Sequence, residues 1–587
     1  MKILGITDGD DSGAVLLNDG KIVAAVNEER LSRMKMVIGF PHQSVEEVLR
    51  LGGVDRKDID HVAMGALVER FNPALVANDG WFGTGKTGSK KYQIRLGSSL
   101  ATVVGRFSPS QAAYHRLKSF MARDRQSGVR RIVAEELGIS APLEFYPHHI
   151  CHGLSAYGGS GFDDAVVITL DGGGDGSCSH ILRVSGGNIE LLNNVDSYHS
   201  IGNFYSYVTH ISGFKAGSHE GKITGLAAYG KPLYADAFRK LIAYKNGQII
   251  NKGNVYYYSA ISKIQSMLPA GYKQEDLAAS IQLVLEEVCI DYCRHWIQQS
   301  GMSKLAVAGG VFANVKLNQR IAEIEGVDEL YVFPHMGDGG LAAGAAFAAS
   351  LNLEAEERRH GFARMEDAYL GPDFSASEIE TALQAEQLVY EQHPDIEAKV
   401  ARLLAEGYVV ARFNGRMEFG PRALGNRSIL YQPTDPSVNE WLNHKLVRNE
   451  FMPFAPVSNS KDAGRCYKNI KGCERSARFM TITFDCTDWM KTNCPAVVHL
   501  DGTARPQLVD KETNASMYRI IEEYQKLTGL PCIINTSFNM HEEPIVCTPG
   551  DAIRAFKLGH LDYLAAGNFL VKNPRPIDRE LVPSLQR

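Results

Sequence analysis

Three histidines fall within five positions in "EFYPHHICHGLSAY", residues 144–157. If that stretch is helical, His148 and His152 stand at i and i+4 on one face, and His149 points elsewhere. Two imidazoles on one face can chelate a metal ion. An isolated pair at this spacing is more often structural. Two aspartates weigh against that reading: Asp171 opens a glycine-rich loop after an apolar stretch, and Asp338 occupies a matching loop. Two imidazoles and two carboxylates form a mixed N/O donor set that suits Fe(II), Mn or Zn better than Mg. His180 and Asp175 are spare candidates, with loop-surface positions as the plain alternative.

A second concentration of chemistry lies later in the chain. "ARFNGRMEFGPRALGNRSIL" holds Arg412, Arg416, Arg422 and Arg427, and "NHKLVRNEFMPFAP" adds Lys445 and Arg448. "HLDGTARPQLV" adds Arg505, and "PCIINTSFNMHEEPIV" adds Asn535, Thr536, Ser537 and Asn539. Guanidinium forks match phosphate oxygens, and hydroxyls and amides complete an oxyanion site. Any one of these arginines alone is a solvated surface group as readily as a ligand.

The elements that must hold these groups are legible in outline. "KILGITDGDDSGAVLLNDGKIVAAVNEE" reads as strand, Asp/Gly loop, strand, Asp19-Gly20 turn, strand. "AVVITLDGGGDGSCSHILRVSGGNIELL" repeats that order with a Gly186-Gly187 turn. Glycines in such loops let backbone N–H groups approach a phosphate. Two ordinary hairpins are the bland alternative to an internal duplication. "KLAVAGGVFANVKLNQRI" then gives a strand, Gly309-Gly310 and a helix carrying Asn314. "LYVFPHMGDGGLAAGAAFAASL" gives a strand, a turn with Asp338 and a small-residue helix. That order resembles the actin/sugar-kinase/Hsp70 nucleotide fold. Near residue 352 the charged run "NLEAEERRHGFARMEDA" reads as a linker.

Whole-chain numbers exclude several classes. At 587 residues, two to four domains are expected. Apolar content of 44% and charge of 22% are those of a folded globular chain. A net charge of −5 gives no pull toward nucleic acid or anionic membrane. No apolar run suits a signal peptide or a membrane span. Ten scattered cysteines without a CxxC pair fit a reducing, cytoplasmic setting and argue against a cysteine-bound metal.

Motifs along nearly the whole chain carry a resemblance: "NEERLSRMK", "PHHICH", "TLDGGGDG", "EGKITGLAAYGKP", "AGGVFANVKLN", "MGDGG", "MEFGPRALGNRSIL", "DGTARPQ" and "NTSFN". With them the chain resembles the NodU/CmcH family of ATP-dependent O-carbamoyltransferases. The resemblance implies an α/β protein of two parts. Residues 1–352 would form a duplicated actin-like (ASKHA) domain related to threonylcarbamoyl-transfer enzymes, and 353–365 a linker. Residues 366–587 would form a YrdC-like α/β domain. The implied partners are carbamoyl phosphate, ATP with Mg as co-substrate, and a small hydroxyl-bearing acceptor such as a sugar or natural product. Carbamoyl-adenylate would form in the C-terminal domain and pass its carbamoyl group on in the N-terminal one.

By the same resemblance, His148, His152, Asp171 and Asp338 would be iron ligands. Lys35, Gly309, Gly310 and Asn314 would serve the adenylate. Arg422, Lys445, Arg448, Arg505, Asn535 and Ser537 would serve carbamoyl phosphate and ATP. The family pattern "HDSGA" supplies a histidine thought to be the base for the acceptor hydroxyl, but this chain reads "GDDSGA", with Asp10 there. A carboxylate has a reference pKa of about 4 rather than about 6.5, so an altered or weakened transfer step is expected. Met452 stands where an arginine is expected.

Residues 83–131 match no core motif and hold eleven Lys or Arg against one acid, Asp124. They read as an insertion over the first domain's cleft, or as a solvated lobe or homodimer contact. A basic wall would suit an acidic acceptor, whereas Asp8 and Glu220 lining the site would suit a cationic one. Rival readings are a tRNA threonylcarbamoyl-type modification enzyme, a sugar kinase, and a nucleotide-binding scaffold whose transfer chemistry has lapsed.

Overall fold

The computed structural model describes residues 1–68, 82, 125–353, 362–446 and 451–575. By contacts the chain divides into two units. The first holds residues 1–23 and 37–365; the second holds 24–36 and 366–587.

The first unit is built twice on one plan. Its strands are β1 (Lys2–Thr7), β2 (Gly13–Asn18), β3 (Lys21–Asn27, which continues into the second unit), β4 (His61–Gly65) and β5 (Leu143–Tyr146). They continue as β6 (Ala165–Thr169), β7 (Ser177–Ser185), β8 (Asn188–Asp196), the hairpin β9 (Ile242–Lys245) and β10 (Gln248–Asn251), β11 (Lys304–Ala308) and β12 (Glu329–Val332). One sheet runs β3-β2-β1-β4-β5 and the other β8-β7-β6-β11-β12. In both, the first strand pairs antiparallel with the second and parallel with the fourth, which pairs parallel with the fifth. This is the duplicated sheet of the actin-like fold, so the repeat read from the two hairpins is real. Asp19 and Gly20 turn β2 into β3 at φ +47° and +75°, as a two-residue hairpin requires.

The small-residue helix Leu341–Leu353 is buried almost all round, and its composition is a packing requirement. A Cβ on Gly344 would lie 1.7 Å from the carbonyl oxygen of Cys151, and one on Gly5 of β1 would lie 2.1 Å from that of Ala342. The helix thereby lies close to both β1 and the His148–Ser160 helix. The 362–365 stretch, expected as linker, is packed: Phe362 contacts the ring of Phe347 at 4.5 Å, and Met365 N–H donates to Gly159. Residues 354–361 lie outside the described residues.

The second unit has one large mixed sheet. Its strands are β13 (Tyr390–Gln392), β14 (Val410–Phe413), β15 (Arg427–Tyr431), β16 (Ala455–Asn459), the short pair β17 (Phe484–Asp485) and β18 (Thr503–Ala504), β19 (Gln507–Val509), β20 (Cys532–Ser537), β21 (Tyr563–Ala566) and β22 (Phe569–Lys572). The large sheet runs β13-β22-β21-β14-β15-β20-β16-β19. Helices Ile396–Ala405 and Ala515–Thr528 cover it through Val400, Leu404, Ile520, Ile521 and Tyr524, packed with Val410, Leu430, Val457 and Ile533. Burying each such side chain contributes about 1.5–3 kcal/mol. Residues 24–36 join this unit: Ala25 N–H donates to Leu370, and Arg30 donates to the carbonyl of Gly420. Among the described residues no helix is long and apolar enough to cross a membrane.

Candidate active site

Pro147 begins a helix over His148–Ser160 that is buried on nearly every side. His148 and His152 project from its first turns, as their spacing demands. Asp171 follows β6, and Asp338 starts a short 3-10 turn after β12. Their donor atoms all lie within 4.8 Å of one another, the one group of this kind among the described residues. His148 Nε2 is 3.2 Å from Asp171 Oδ2 and 3.6 Å from Asp338 Oδ1. His152 Nε2 is 3.9 Å and 3.4 Å from the same two oxygens. Donors about 2.1 Å from a common ion stand roughly 3–3.5 Å apart, so the set fits a metal. His152 is fully buried with neither ring nitrogen in a well-aligned hydrogen bond, as suits a ligand to an ion. Burial, first of all, holds its pKa below the ordinary value, so it is neutral and able to ligate.

The surroundings orient these ligands. Asp171 Oδ1 accepts from the Gly310 N–H at 3.3 Å, which aims Oδ2 at the imidazoles. A Cβ on Gly174 would come 2.2 Å from the His148 ring, so only glycine leaves room for it. His149 turns away: its nitrogens meet Thr169 Oγ1 at 2.8 Å and the Ser177 carbonyl at 2.9 Å. Burial pushes its pKa well down, so it supports the site as a neutral ring. The spare candidates are not in the donor set. His180 stacks near His149, with burial, then His148, bringing its pKa to about 4. Asp175 is spent on backbone N–H groups of Leu67, Val68 and His148.

Gly309 adopts φ +111°, and a Cβ there would lie 2.2 Å from the Leu170 carbonyl oxygen. Asn314 does not ride on the following helix but caps it, accepting from Leu317 N–H at 3.1 Å while its amide donates to Gln282. Asp10 is half-buried on the β1–β2 loop. Its neighbour Asp11, at φ +58°, pairs with the buried His335 at 3.1 Å, a dyad that the sequence did not single out. The acceptor candidates are committed internally. Asp8 forms a buried ion pair with Arg125, and Glu220 accepts from Gly217 N–H at 2.7 Å and Ser206 at 2.9 Å. Burial raises the Glu220 pKa. Lys35, expected in the first domain, groups with the second unit. Most of the basic insertion, 83–124, lies outside the described residues; of its end, Arg130 donates to the Leu143 carbonyl.

In the second unit the arginines separate into two kinds. Arg412 and Arg427 are fully buried, and both satisfy the scaffold. Arg412 donates to Gly425 and Ser516, and burial lowers its pKa to about 10. Arg427 donates to Asn414, Gly415 and Pro372 and lies 3.8 Å over the Phe413 ring. Arg416 donates to Leu370 and Gly371. These three do not bind a ligand through those groups. Arg422, Lys445 and Arg505 are only partly buried, and Arg448 lies outside the described residues. Asn535 on β20 is 1% exposed; its amide donates to Ala423 and Gln507, while Oδ1 has no hydrogen-bond partner. Ser537 ends the same strand.

Residues 2–347 match the family description "Carbamoyltransferase N-terminus" and 401–573 match "Carbamoyltransferase C-terminus". The chain belongs to the carbamoyltransferase family. The nodulation protein NolNO of Sinorhizobium fredii is 30% identical over 96% of this chain and 79% of its own length. Nodulation protein U of the same organism is 26% identical over 98% of this chain and 99% of its own. "Uncharacterized protein sll1178" of Synechocystis is 32% identical over 98% of both. Among solved structures, T. kodakarensis HypF aligns at TM-score 0.33 and 13% identity, over 60% of this chain and 48% of that one.

Family membership makes transfer of a carbamoyl group the general activity of this carbamoyltransferase-family chain. One residue that organises its second unit escaped notice in the sequence. Glu418 is 2% exposed, and its Oε1 accepts from the N–H groups of Leu424, Asn426 and Arg427 at 2.8, 2.8 and 3.1 Å. It shapes the "GPRALGNR" loop that presents Arg422. A buried acid beside a Gly/Pro loop was the available signal.

Proposed function

We propose that the chain is an ATP-dependent O-carbamoyltransferase. In the second unit, water cleaves carbamoyl phosphate to carbamate and phosphate. Carbamate and ATP, carried with Mg, then give carbamoyl-adenylate and pyrophosphate. In the first unit, an acceptor hydroxyl attacks the carbamoyl carbon and AMP leaves. The observation that carries this reading is the buried cluster of His148, His152, Asp171 and Asp338, set on one helix and two loops of a duplicated nucleotide-type fold.

Arg422, Lys445 and Arg505 offer cations to the phosphates, and Arg448 is assigned with them from the sequence motif. Asn535 Oδ1, buried without a donor, suits the carbamoyl amide N–H. Gly309, Gly310 and Asn314 shape the backbone that meets the adenylate. A bound Fe(II), Mn or Zn ion supplies Lewis acidity to a carbonyl or phosphate oxygen. Asp171, fixed by Gly310, ties the donor set to that backbone. Asp10, at the position of the family's histidine, would take the acceptor's proton.

Incubation with ATP and carbamoyl phosphate tests the reading. Pyrophosphate release that requires carbamoyl phosphate is the expected result. ATP left intact in its presence overturns the proposal.

A further inference from the structure

Asp175 holds an unusual place in the loop between β6 and β7. Its φ is +49°, in the left-handed region that glycine adopts freely. Glycines stand on both sides of it, yet a carboxylate is used here. Oδ2 accepts from His148 N–H at 2.7 Å and Leu67 N–H at 2.8 Å, and Oδ1 accepts from Val68 N–H at 2.9 Å. His148 is the first residue of its helix, and Pro147 before it offers no side-chain cap. The His148 N–H is thus one of the donors a helix start leaves unsatisfied. Asp175 caps it from another loop, and its negative charge sits at the positive end of the helix. Leu67 and Val68 follow β4, the neighbour of the strand that leads into this helix. One carboxylate therefore joins the end of β4, the start of the helix and the loop that begins at Asp171. The adjoining residue, Gly174, lies against the His148 ring.

We propose that Asp175 is the positioning residue of the metal centre: it fixes His148 relative to Asp171 without touching the ion. This inference rests on the metal reading of the four-donor cluster. Supports of this kind affect metal affinity by about 10–100-fold.

The test uses full-length, metal-free protein titrated with Co(II), followed by visible absorption and by chelator competition. Asp175→Gly removes the carboxylate in a conformation glycine favours, and Asp175→Asn keeps one acceptor oxygen; either carries the test if the other fails to fold. His152→Ala is the control for the site itself. Wild type is expected to take up Co(II) and His152→Ala to lose it. Asp175→Gly should bind about 10–100-fold more weakly with a changed absorption band, and Asp175→Asn should fall between. Wild-type affinity and spectrum in both Asp175 variants overturn the positioning role while leaving the metal reading standing. No Co(II) uptake by wild type overturns the metal reading and this inference with it.

Discussion

His152 Nε2 lies 3.4 Å from Asp338 Oδ1, although the two residues are far apart in the chain. Neither ring nitrogen of that imidazole is in a well-aligned hydrogen bond. An ion between the two side chains would resolve that deficit. His152→Ala, or removal of metal by a chelator, is expected to slow acceptor carbamoylation by at least about 100-fold. Pyrophosphate release should persist, because the proposed function assigns that chemistry to the second unit. Parallel loss of both steps would tie the cluster to adenylate formation instead.

Glu418 gathers three backbone N–H groups on one carboxylate oxygen. Glu418→Ala strands those donors in a buried loop, at a cost of about 3 kcal/mol. Carbamoyl-phosphate-dependent pyrophosphate release should fall with a raised KM, while Co(II) binding by the first unit stays at the wild-type level. Glu418→Gln, which keeps an acceptor oxygen, should recover part of the loss. Steady-state kinetics of both variants, with metal titration, check this.

In the proposed reaction Asp10, on the β1–β2 loop, takes the acceptor's proton. An imidazole titrates nearer neutrality than a carboxylate. Asp10→His is therefore expected to raise carbamoylation several-fold near pH 7 while leaving pyrophosphate release unchanged. Unchanged or slower transfer would remove this position from the chemistry.

His199 Nδ1 accepts the backbone N–H of Asn251 at 3.0 Å, which only a neutral ring can do. Burial lowers its pKa from 6.5, and Asp196 opposes that shift. The unfolded chain therefore binds the proton first, so its contribution is complete above pH 6.5 and is lost as pH falls toward the folded value. Thermal unfolding scans of metal-free protein should show the midpoint dropping below pH 6.5. His199→Gln, which keeps an acceptor but cannot bind that proton, should drop less steeply. Identical slopes would show that this histidine does not contribute.

The duplication was readable because hairpin turns announce themselves. Asp19-Gly20 and Gly186-Gly187 need positive φ, and few other pairs supply it cheaply. The clustering of His148, His152, Asp171 and Asp338 was readable for a similar reason: an i, i+4 pair faces one way, and an aspartate at a strand end opens a loop. The arginines were not. Arg412, Arg416, Arg422 and Arg427 look alike in sequence, and only the folded chain shows that Arg412, Arg416 and Arg427 donate to backbone carbonyls of their own unit. Asp8 and Glu220 read as acids that could line the acceptor site until Arg125 and the Gly217 turn were seen against them.

By itself, then, the sequence determined the local periodicities, the turns and the kinds of donor atom, since these depend on residues a few positions apart. The tertiary structure decided which charges are spent and which are offered. That depends on what lies opposite each side chain once water is excluded, as when Asp175 reaches across to the first N–H of the histidine helix.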